Sequence, residues 1–199
     1  MKQIEKRFLK SLIILIYSLT VSGCWNYDTK NTSTGGVEII DGHTLPPDPG
    51  EAGKNTLLGI DSNNDGVRDD LERYLYHRFS KEEYPKTKIA IAMQYGRAVQ
   101  KILENPGQAY ENKTYQYLDN ASDCKWYFYL KYKGDNYVEG RKFRKNNPIF
   151  DEKFKDIIFN TRERVEAYFI FNKSLSGHAF SSQEKTLDKC DVDIDQFDE

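Results

Sequence analysis

Apolar side chains recur at helical spacing along most of the chain after Gly66, and this pattern predicts a mostly α fold. The predicted helices carry these apolar positions: Leu71, Tyr74, Leu75 and Phe79; Ile89, Ala92, Met93, Val99, Ile102 and Leu103; Tyr117, Ala121, Cys124 and Phe128; and Phe154, Ile157, Ile158, Val165 and Phe169. Pro106 and Gly107 end the second helix, and Asp151 is placed to cap the last one. We therefore expect a small bundle of about four helices.

Two segments have patterns that also fit extended structure. The aromatic run 126–132 could form a strand instead of the end of the third helix, because aromatic residues favour strands. The tail from Cys190 onward alternates acidic and apolar residues, which predicts a short extended C-terminal piece.

Residues 24–57 differ from the rest of the chain in composition. They are rich in Asn, Thr, Ser, Gly and Pro, and they include the turn-forming sequence PPDPG at 46–50. We predict a flexible, disordered N-terminal tether over 24–57 and a helical domain over 58–199.

The overall charge excludes one class of partner. The chain of 199 residues carries a net charge of −2, so it lacks the positive excess with which proteins bind nucleic acid. Aromatic residues make up 14% of the chain and supply enough buriable surface for a core.

The first 23 residues have the organisation of a bacterial export signal. Basic residues at positions 2, 6, 7 and 10 precede a short apolar stretch at 11–21. The sequence Val21-Ser22-Gly23-Cys24 then resembles the lipobox of bacterial lipoproteins. The resemblance implies a signal peptide over 1–23, cleavage before Cys24, and palmitate-like acylation of Cys24 that anchors the protein in a membrane.

The residue after the cysteine bears on which membrane this is. Trp25 stands where inner-membrane retention signals have Asp, which implies the outer membrane of the cell envelope and a periplasmic or surface location. A plain signal peptide or an uncleaved anchor also fits the segment, if Cys24 is incidental.

The cysteine count predicts a disulfide. If Cys24 carries lipid, Cys124 and Cys190 remain, and two thiols left over outside the cytosol usually pair. The bond would tie the tail to the domain. The alternative is a nucleophilic Cys124 with a histidine base, but none of the three histidines stands in a catalytic signature relative to it.

Residues 61–72 carry oxygen ligands at the spacing that a hard cation needs. Ca²⁺ prefers about six to eight oxygen ligands at about 2.3–2.6 Å. The candidate metal ligands are the side chains of Asp61, Asn63, Asp65, Asp69 and Glu72 and the backbone carbonyl of Val67. Gly66 supplies the sharp turn between Asp65 and Val67. The sequence therefore predicts Ca²⁺ as a cofactor.

This segment resembles the EF-hand loop at these six ligand positions. No helix is predicted before it, and Arg68 stands where paired EF-hands carry an aliphatic residue. The segment is therefore more similar to the single loops of dockerins and thrombospondin type 3 repeats, in which one helix follows the loop. The resemblance implies calcium that stabilises the fold, not a calcium sensor. The alternative is an Asp- and Asn-rich turn that only caps the next helix.

Three other clusters of the sequence are also candidate sites. The tail acids Asp188, Asp191, Asp193, Asp195, Asp198 and Glu199 suggest a second cation site, but no turn glycine or closing glutamate accompanies them, which favours a solvated strand. The basic run 141–145 fits a solvated loop better than a contact with anionic glycan or lipid. The aromatic clusters at 126–132 and 168–171 fit core packing better than sugar stacking.

These features predict a lipid-anchored, calcium-binding protein of the cell envelope. We expect it to be a non-enzymatic binding or structural module with a protein or glycan partner, because we find no catalytic signature in the sequence. Two alternatives remain open. One is a periplasmic hydrolase of cell-wall material, which a cleft with two facing carboxylates would favour. The other is an immunity-type lipoprotein that neutralises a toxin directed at the envelope.

Overall fold

The computed structural model describes residues 37–132, 136–181 and 184–199. An antiparallel hairpin comes first, formed by β1 (Ile39–Ile40) and β2 (His43–Thr44). The helices in the described residues are α1 (Asp69–Phe79), α2 (Pro85–Glu104), α3 (Tyr115–Lys131), α4 (Tyr137–Asn146), α5 (Glu152–Ile158) and α6 (Arg162–Ser174). Short 3-10 helices lie at Gly50–Lys54, Pro106–Gln108, Leu187–Lys189 and Ile194–Gln196. The prediction of a mostly α bundle is confirmed.

The core is formed around α2, the longest helix of the described part. Its buried face packs against α1, α3 and α6, and the main cluster also includes side chains of α5 and the tail. The α1–α2 crossing is tight at Gly96, where a Cβ would lie 3.0 Å from Leu71 Cδ2 and 3.2 Å from Val67 Cγ1. Because Val67 belongs to the predicted calcium loop and is fully buried, this crossing fastens the loop to the core.

The helix that the sequence predicts from Asp151 onward is two helices in the structure. α5 ends at Ile158, and α6 starts after Thr161, whose side chain accepts a hydrogen bond from the backbone N–H of Arg164. The buried guanidinium of Arg68 donates to the carbonyls of Ile157 (2.8 Å) and Ile158 (3.0 Å). The break is therefore stabilised by a residue about ninety positions away, which local periodicity does not show.

Two further segments differ from their predicted form. The run 126–132 continues α3 as far as Lys131, so the strand alternative is wrong. The basic run 141–145 lies within α4, where the sequence predicts a loop. α4 forms because Asn136 caps it through the Glu139 N–H and because Phe143 packs against Tyr84 and Phe128.

The described part of the predicted tether, residues 37–57, is packed onto the domain, so the prediction of a flexible tether is wrong over this range. Leu45 is 5% exposed. The Arg73 guanidinium donates to the Pro46 carbonyl at 2.8 Å. Buried Arg164 donates to the carbonyls of Gly53 (2.7 Å) and Leu57 (3.0 Å). Turn-rich composition suggests flexibility, but these two distant arginines satisfy the backbone carbonyls and hold the segment in place.

The C-terminal tail is fastened at several points. Cys124 and Cys190 are at disulfide distance, with the sulfurs 1.98 Å apart, as the sequence predicts. Gln94 Nε2 donates to the Lys189 carbonyl at 2.7 Å, and the Glu199 carboxylate accepts from the first backbone N–H groups of α2, Lys86 and Thr87. The tail thus turns through two 3-10 segments instead of pairing as a strand.

Residues 1–23, predicted as the signal peptide, and 24–36 of the predicted tether lie outside the described residues, and so does Cys24. Within the described ranges, no helix has both the length and the apolar character needed to cross a membrane.

Candidate metal centre in the loop 61–72

Asp61 and Asp65 fold the first half of the loop around their carboxylates. The backbone N–H of Gly66 donates to Asp61 Oδ2 at 2.9 Å, and that of Asp65 donates to Asp61 Oδ1 at 3.2 Å. The N–H of Val67 donates to Asp65 Oδ1 at 2.8 Å. Gly66 has a φ of +85°, a left-handed conformation that favours glycine, as the sequence predicts for the sharp turn.

Asp69 closes the base of the loop. Its backbone N–H donates to the Ile60 carbonyl at 2.8 Å, and its Oδ1 accepts from the backbone N–H of Ser62 at 2.9 Å. Asp69 is 1% exposed and is the first residue of α1. The incoming and outgoing ends of the loop are therefore joined through one buried carboxylate.

Glu72 presents a fully buried carboxylate to the loop from the first turn of α1. Its side chain is 0% exposed. Oε2 accepts from Asn63 Nδ2 at 3.0 Å, so the middle of the loop is connected to its last candidate ligand. The predicted residues Asp61, Asn63, Asp65 and Glu72 are thus linked by a continuous chain of hydrogen bonds.

The hairpin contributes a residue that the sequence analysis did not place at the site. His43 Nε2 lies 2.6 Å from Glu72 Oε1, and the imidazole stacks on the Tyr76 ring at a centroid distance of 4.1 Å. His43 precedes Glu72 by 29 residues in a segment that reads as linker. No local pattern connects the two, and only the folded hairpin brings them together.

Burial, with a smaller contribution from neighbouring carboxylates, raises the pKa values of acidic groups in and beside the loop. Burial raises the pKa of Glu72, and the nearby Asp65 carboxylate adds to the effect although the His43 hydrogen bond opposes it. Burial likewise raises the pKa of Asp65, with a further contribution from Asp61. Burial, with Glu72 and Asp65 nearby, raises the pKa of Tyr76 to about 12. Each raised pKa means that the negatively charged form of the group is disfavoured in this environment. A bound cation would favour the charged forms and so oppose these shifts.

No lysine or arginine in the described ranges forms an ion pair with Asp61, Asp65, Asp69 or Glu72. Arg97 partly opposes the burial that raises the pKa of Asp65, but its guanidinium is hydrogen-bonded to Asp191 by two contacts of 3.0 and 2.8 Å. The carboxylates of the loop therefore have no basic partner other than His43 among the residues the structure describes.

The donor chemistry of the loop fits a hard cation, but the ligand shell is not closed. The predicted donors are all oxygens, which suits Ca²⁺ or Mg²⁺ and not zinc. Among the residues described, no three Asp, Glu, His or Cys side chains lie close enough together, as they stand, to hold a metal ion. Several carboxylate oxygens accept instead from backbone N–H groups, so an ion would have to replace some of these hydrogen bonds.

Arg68 serves the packing of the helices instead of the loop. Its guanidinium is 1% exposed, pairs with Asp70 at 2.9 Å, and donates to the last carbonyls of α5. A Cβ on Gly59 would lie 2.5 Å from Arg68 Cδ, so the chain before the loop is fitted closely around this arginine. Arg68 therefore attaches the loop to the bundle, at the position where paired EF-hands carry an aliphatic residue.

Two acids of the tail, Asp191 and Asp195, are paired with basic side chains of the bundle. Asp191 pairs with Arg97, and Asp195 accepts from Tyr127 Oη at 2.6 Å and pairs with Lys131 at 2.8 Å. Their charges are therefore balanced by side chains of α2 and α3. These contacts hold the tail to the bundle and give the acids a structural role.

A cavity of about 360 Å³ lies between α2, α3, α6 and the chain at 180. Its walls are mainly aromatic, formed by Tyr95, Tyr115, Tyr168, Phe171 and Phe180. Asp119 is the one carboxylate among its lining residues. The cavity therefore lacks the pair of facing carboxylates that would favour a hydrolase.

Comparison of the chain with protein-family models, with curated proteins and with solved structures finds no match.

Proposed function

We propose that the protein is a lipid-anchored protein of the bacterial cell envelope in which loop 61–72 binds Ca²⁺ and thereby stabilises a non-enzymatic domain. The observation that carries the calcium proposal is the hydrogen-bonded chain of loop carboxylates ending at the fully buried Glu72. Its charges have no basic partner but His43 in the described part of the chain. Asp69 and Glu72 are buried and Asp61 and Asp65 are half-buried. Burying carboxylate charge is costly, and a bound cation would lower that cost.

The residues that would hold the ion are those the sequence predicts: Asp61, Asn63, Asp65, Val67 through its carbonyl, Asp69 and Glu72. The ion would supply positive charge where the pKa values of Asp65 and Glu72 are raised. The loop lies between the hairpin, which reaches it through His43, and α1, which begins at Asp69. Ion binding would therefore stabilise the attachment of the N-terminal segment to the bundle.

The expected affinity fits a structural role. Extracellular calcium modules of this type bind at about 10⁻⁴–10⁻³ M. At about 1 mM Ca²⁺ and a Kd of about 0.1 mM, mass action adds about 1.4 kcal/mol to the free energy of unfolding. This contribution is large enough to stabilise one segment and too small to drive a large rearrangement.

Calorimetric titration of the chelator-treated protein with Ca²⁺ tests the site. We expect saturable binding to one site, and we expect the double variant Asp61→Ala/Asp65→Ala to lose it. The matched control is Asp48→Ala/Asp188→Ala, at two exposed aspartates outside the loop, which should bind as the unaltered protein does. Binding that persists in the loop variant would overturn the assignment.

The lipid anchor is tested separately. Cells fed a labelled fatty acid should incorporate it into the unaltered chain, and the variant Cys24→Ser should lose both the label and its membrane fractionation. Label that remains in Cys24→Ser would refute the lipobox interpretation.

A further inference from the structure

α3 and α4 together display a surface that combines exposed apolar and basic side chains. The inner side of α4 is formed by Gly140 and Phe143, and Phe143 contacts aromatic residues of the core. The outer side carries Tyr137 and Val138, which are 75% and 73% exposed. We call the set Trp126, Leu130, Tyr137, Val138, Arg141, Lys142, Arg144 and Lys145 the α3–α4 patch.

Four positive charges lie within the patch. Arg141, Lys142 and Lys145 are exposed, and the Arg144 guanidinium lies 5.4 Å from the centroid of the Trp126 ring. None of the four forms an ion pair with another described residue. Since the chain as a whole carries a net charge of −2, this concentration of positive charge is local to the patch.

The spacing along α4 places apolar and basic residues on one helical face. Tyr137, Arg141 and Lys145 follow one another at four-residue intervals, and Val138 and Lys142 form the adjacent row. On α3, Trp126 and Leu130 have the same spacing and are 39% and 42% exposed. Aromatic rings beside lysine and arginine are the side chains that settle at the boundary between lipid headgroups and acyl chains.

We propose that the α3–α4 patch docks on an anionic phospholipid surface. The basic residues would meet the phosphate headgroups, each contributing to binding through the negative surface potential. The apolar residues distinguish this occupant from a soluble polyanion. A polyanion would leave Tyr137 and Val138 in water, whereas a membrane surface buries them. The inference goes beyond the proposed function, because it depends on neither the calcium loop nor Cys24.

Tryptophan fluorescence gives a direct test in the full chain. The protein has two tryptophans, Trp25 and Trp126, so the variant Trp25→Phe leaves a single reporter inside the patch. This variant is reconstituted into vesicles of phosphatidylcholine alone or of phosphatidylcholine with phosphatidylglycerol, each with brominated acyl chains. We expect quenching and a blue shift of Trp126 emission in the phosphatidylglycerol vesicles only.

Charge removal should abolish the effect. Arg141→Gln, Lys142→Gln and Lys145→Gln together should lower the docking equilibrium constant about 100-fold, because each base near an anionic membrane contributes about a fivefold effect. The matched control replaces three exposed lysines elsewhere, Lys81, Lys113 and Lys173, by glutamine and should leave the quenching unchanged. High salt should reverse the quenching of Trp126 in the protein with the unsubstituted patch, because salt screens the attraction between the basic residues and the lipid headgroups.

Three outcomes would overturn the proposal: equal quenching in both kinds of vesicle, no quenching in either, or equal loss in the patch and control variants. Salt-sensitive binding to soluble dextran sulfate without lipid quenching would assign the patch to a polyanion instead. The salt measurement decides the case even if the triple variant fails to fold. Cys24 and loop 61–72 are intact throughout, so failure here leaves the proposed function standing.

Discussion

The substitution Glu72→Gln separates a calcium ligand from an ordinary buried residue. Glutamine has nearly the same size as glutamate and carries no negative charge. Its one carbonyl oxygen can still accept from His43, but its NH2 group cannot accept the hydrogen bond that Asn63 Nδ2 donates to Glu72. Burial and the neighbouring Asp65 raise the pKa of Glu72, so its charge destabilises the fold when no cation is bound. Removal of this charge offsets the lost Asn63 hydrogen bond, so in chelator the variant should be about as stable as the unaltered protein.

With calcium present, the order should reverse. The unaltered protein is expected to gain about 1.4 kcal/mol at a Ca²⁺ concentration of about ten times Kd. For a domain of this size that corresponds to a rise in melting temperature of about 3–6 °C. Glu72→Gln loses the charged group that ends the loop, so its rise should disappear. A residue that only packs or caps α1 would give the same loss of stability with and without calcium.

The assay is thermal unfolding followed by circular dichroism, in chelator and across a calcium series, with magnesium as a second cation. Glu51→Gln is the matched control, because Glu51 is exposed and pairs only with Lys54 at the surface. The control should retain the full calcium-dependent rise. If Glu72→Gln also retains it, or if the unaltered protein shows none, the reasoning about the loop is refuted.

The remaining predictions concern stability. Reduction of the Cys124–Cys190 bond, which spans 66 residues, should lower the free energy of unfolding by about 4 kcal/mol in urea titrations, because the unfolded chain gains freedom. Asp151→Ala should cost about 1 kcal/mol by removing the cap of α5, while Asp151→Asn keeps most of it. Burial raises the pKa of Asp151, but its hydrogen bonds with Arg78 and the Phe154 N–H outweigh burial and hold this pKa below its usual value. The Asp151 charge therefore stabilises the fold at neutral pH. This contribution is lost as the pH falls from the usual pKa of an aspartate through the lowered one. Arg164→Lys should cost about 3 kcal/mol and speed hydrogen exchange at 50–57, because the donors of lysine all lie on one nitrogen and cannot span the carbonyls that Nε and Nη2 of Arg164 bind.

Each of these has a control or a contradicting result. Labelling of both thiols without reductant would refute the disulfide. For the cap, the difference in stability between Asp151→Asn and the unaltered protein should shrink in acid, and a difference that grew would contradict the assigned sign. Arg162→Lys, at a side chain that is 85% exposed, should stay within about 0.5 kcal/mol. An equal effect at Arg162 and Arg164 would remove the case for the buried carbonyl contacts.

Local patterns predicted those parts of the fold that local interactions decide. The apolar periodicity predicts the cores of α1, α2 and α3, and Asp151 caps α5 through the Phe154 N–H as expected. The loop ligands are likewise local, since Asp61, Asn63 and Asp65 hydrogen-bond within the loop. Local patterns do not predict the break between α5 and α6, because the residue that stabilises the end of α5 is Arg68, which is about ninety positions away in sequence.

The candidate site divides in the same way. The predicted ligands of 61–72 are close neighbours in sequence around a tight turn, so the sequence alone is enough to propose which oxygen atoms would face a cation. The contribution of His43 requires a hairpin to fold back over α1, and the packing of 37–57 requires Arg164 to reach carbonyls more than a hundred residues away.

The sequence by itself determined the helical character of the chain, the tight turn at Gly66 and the pairing of Cys124 with Cys190. These follow from interactions between near neighbours or from the simple count of thiols. Only the tertiary structure decided that residues 37–57 belong to the domain, that His43 meets Glu72, and that the basic run shares a surface with Trp126. Those features depend on long-range contacts whose partners are chosen by the packing of the whole core, and no local pattern encodes that choice.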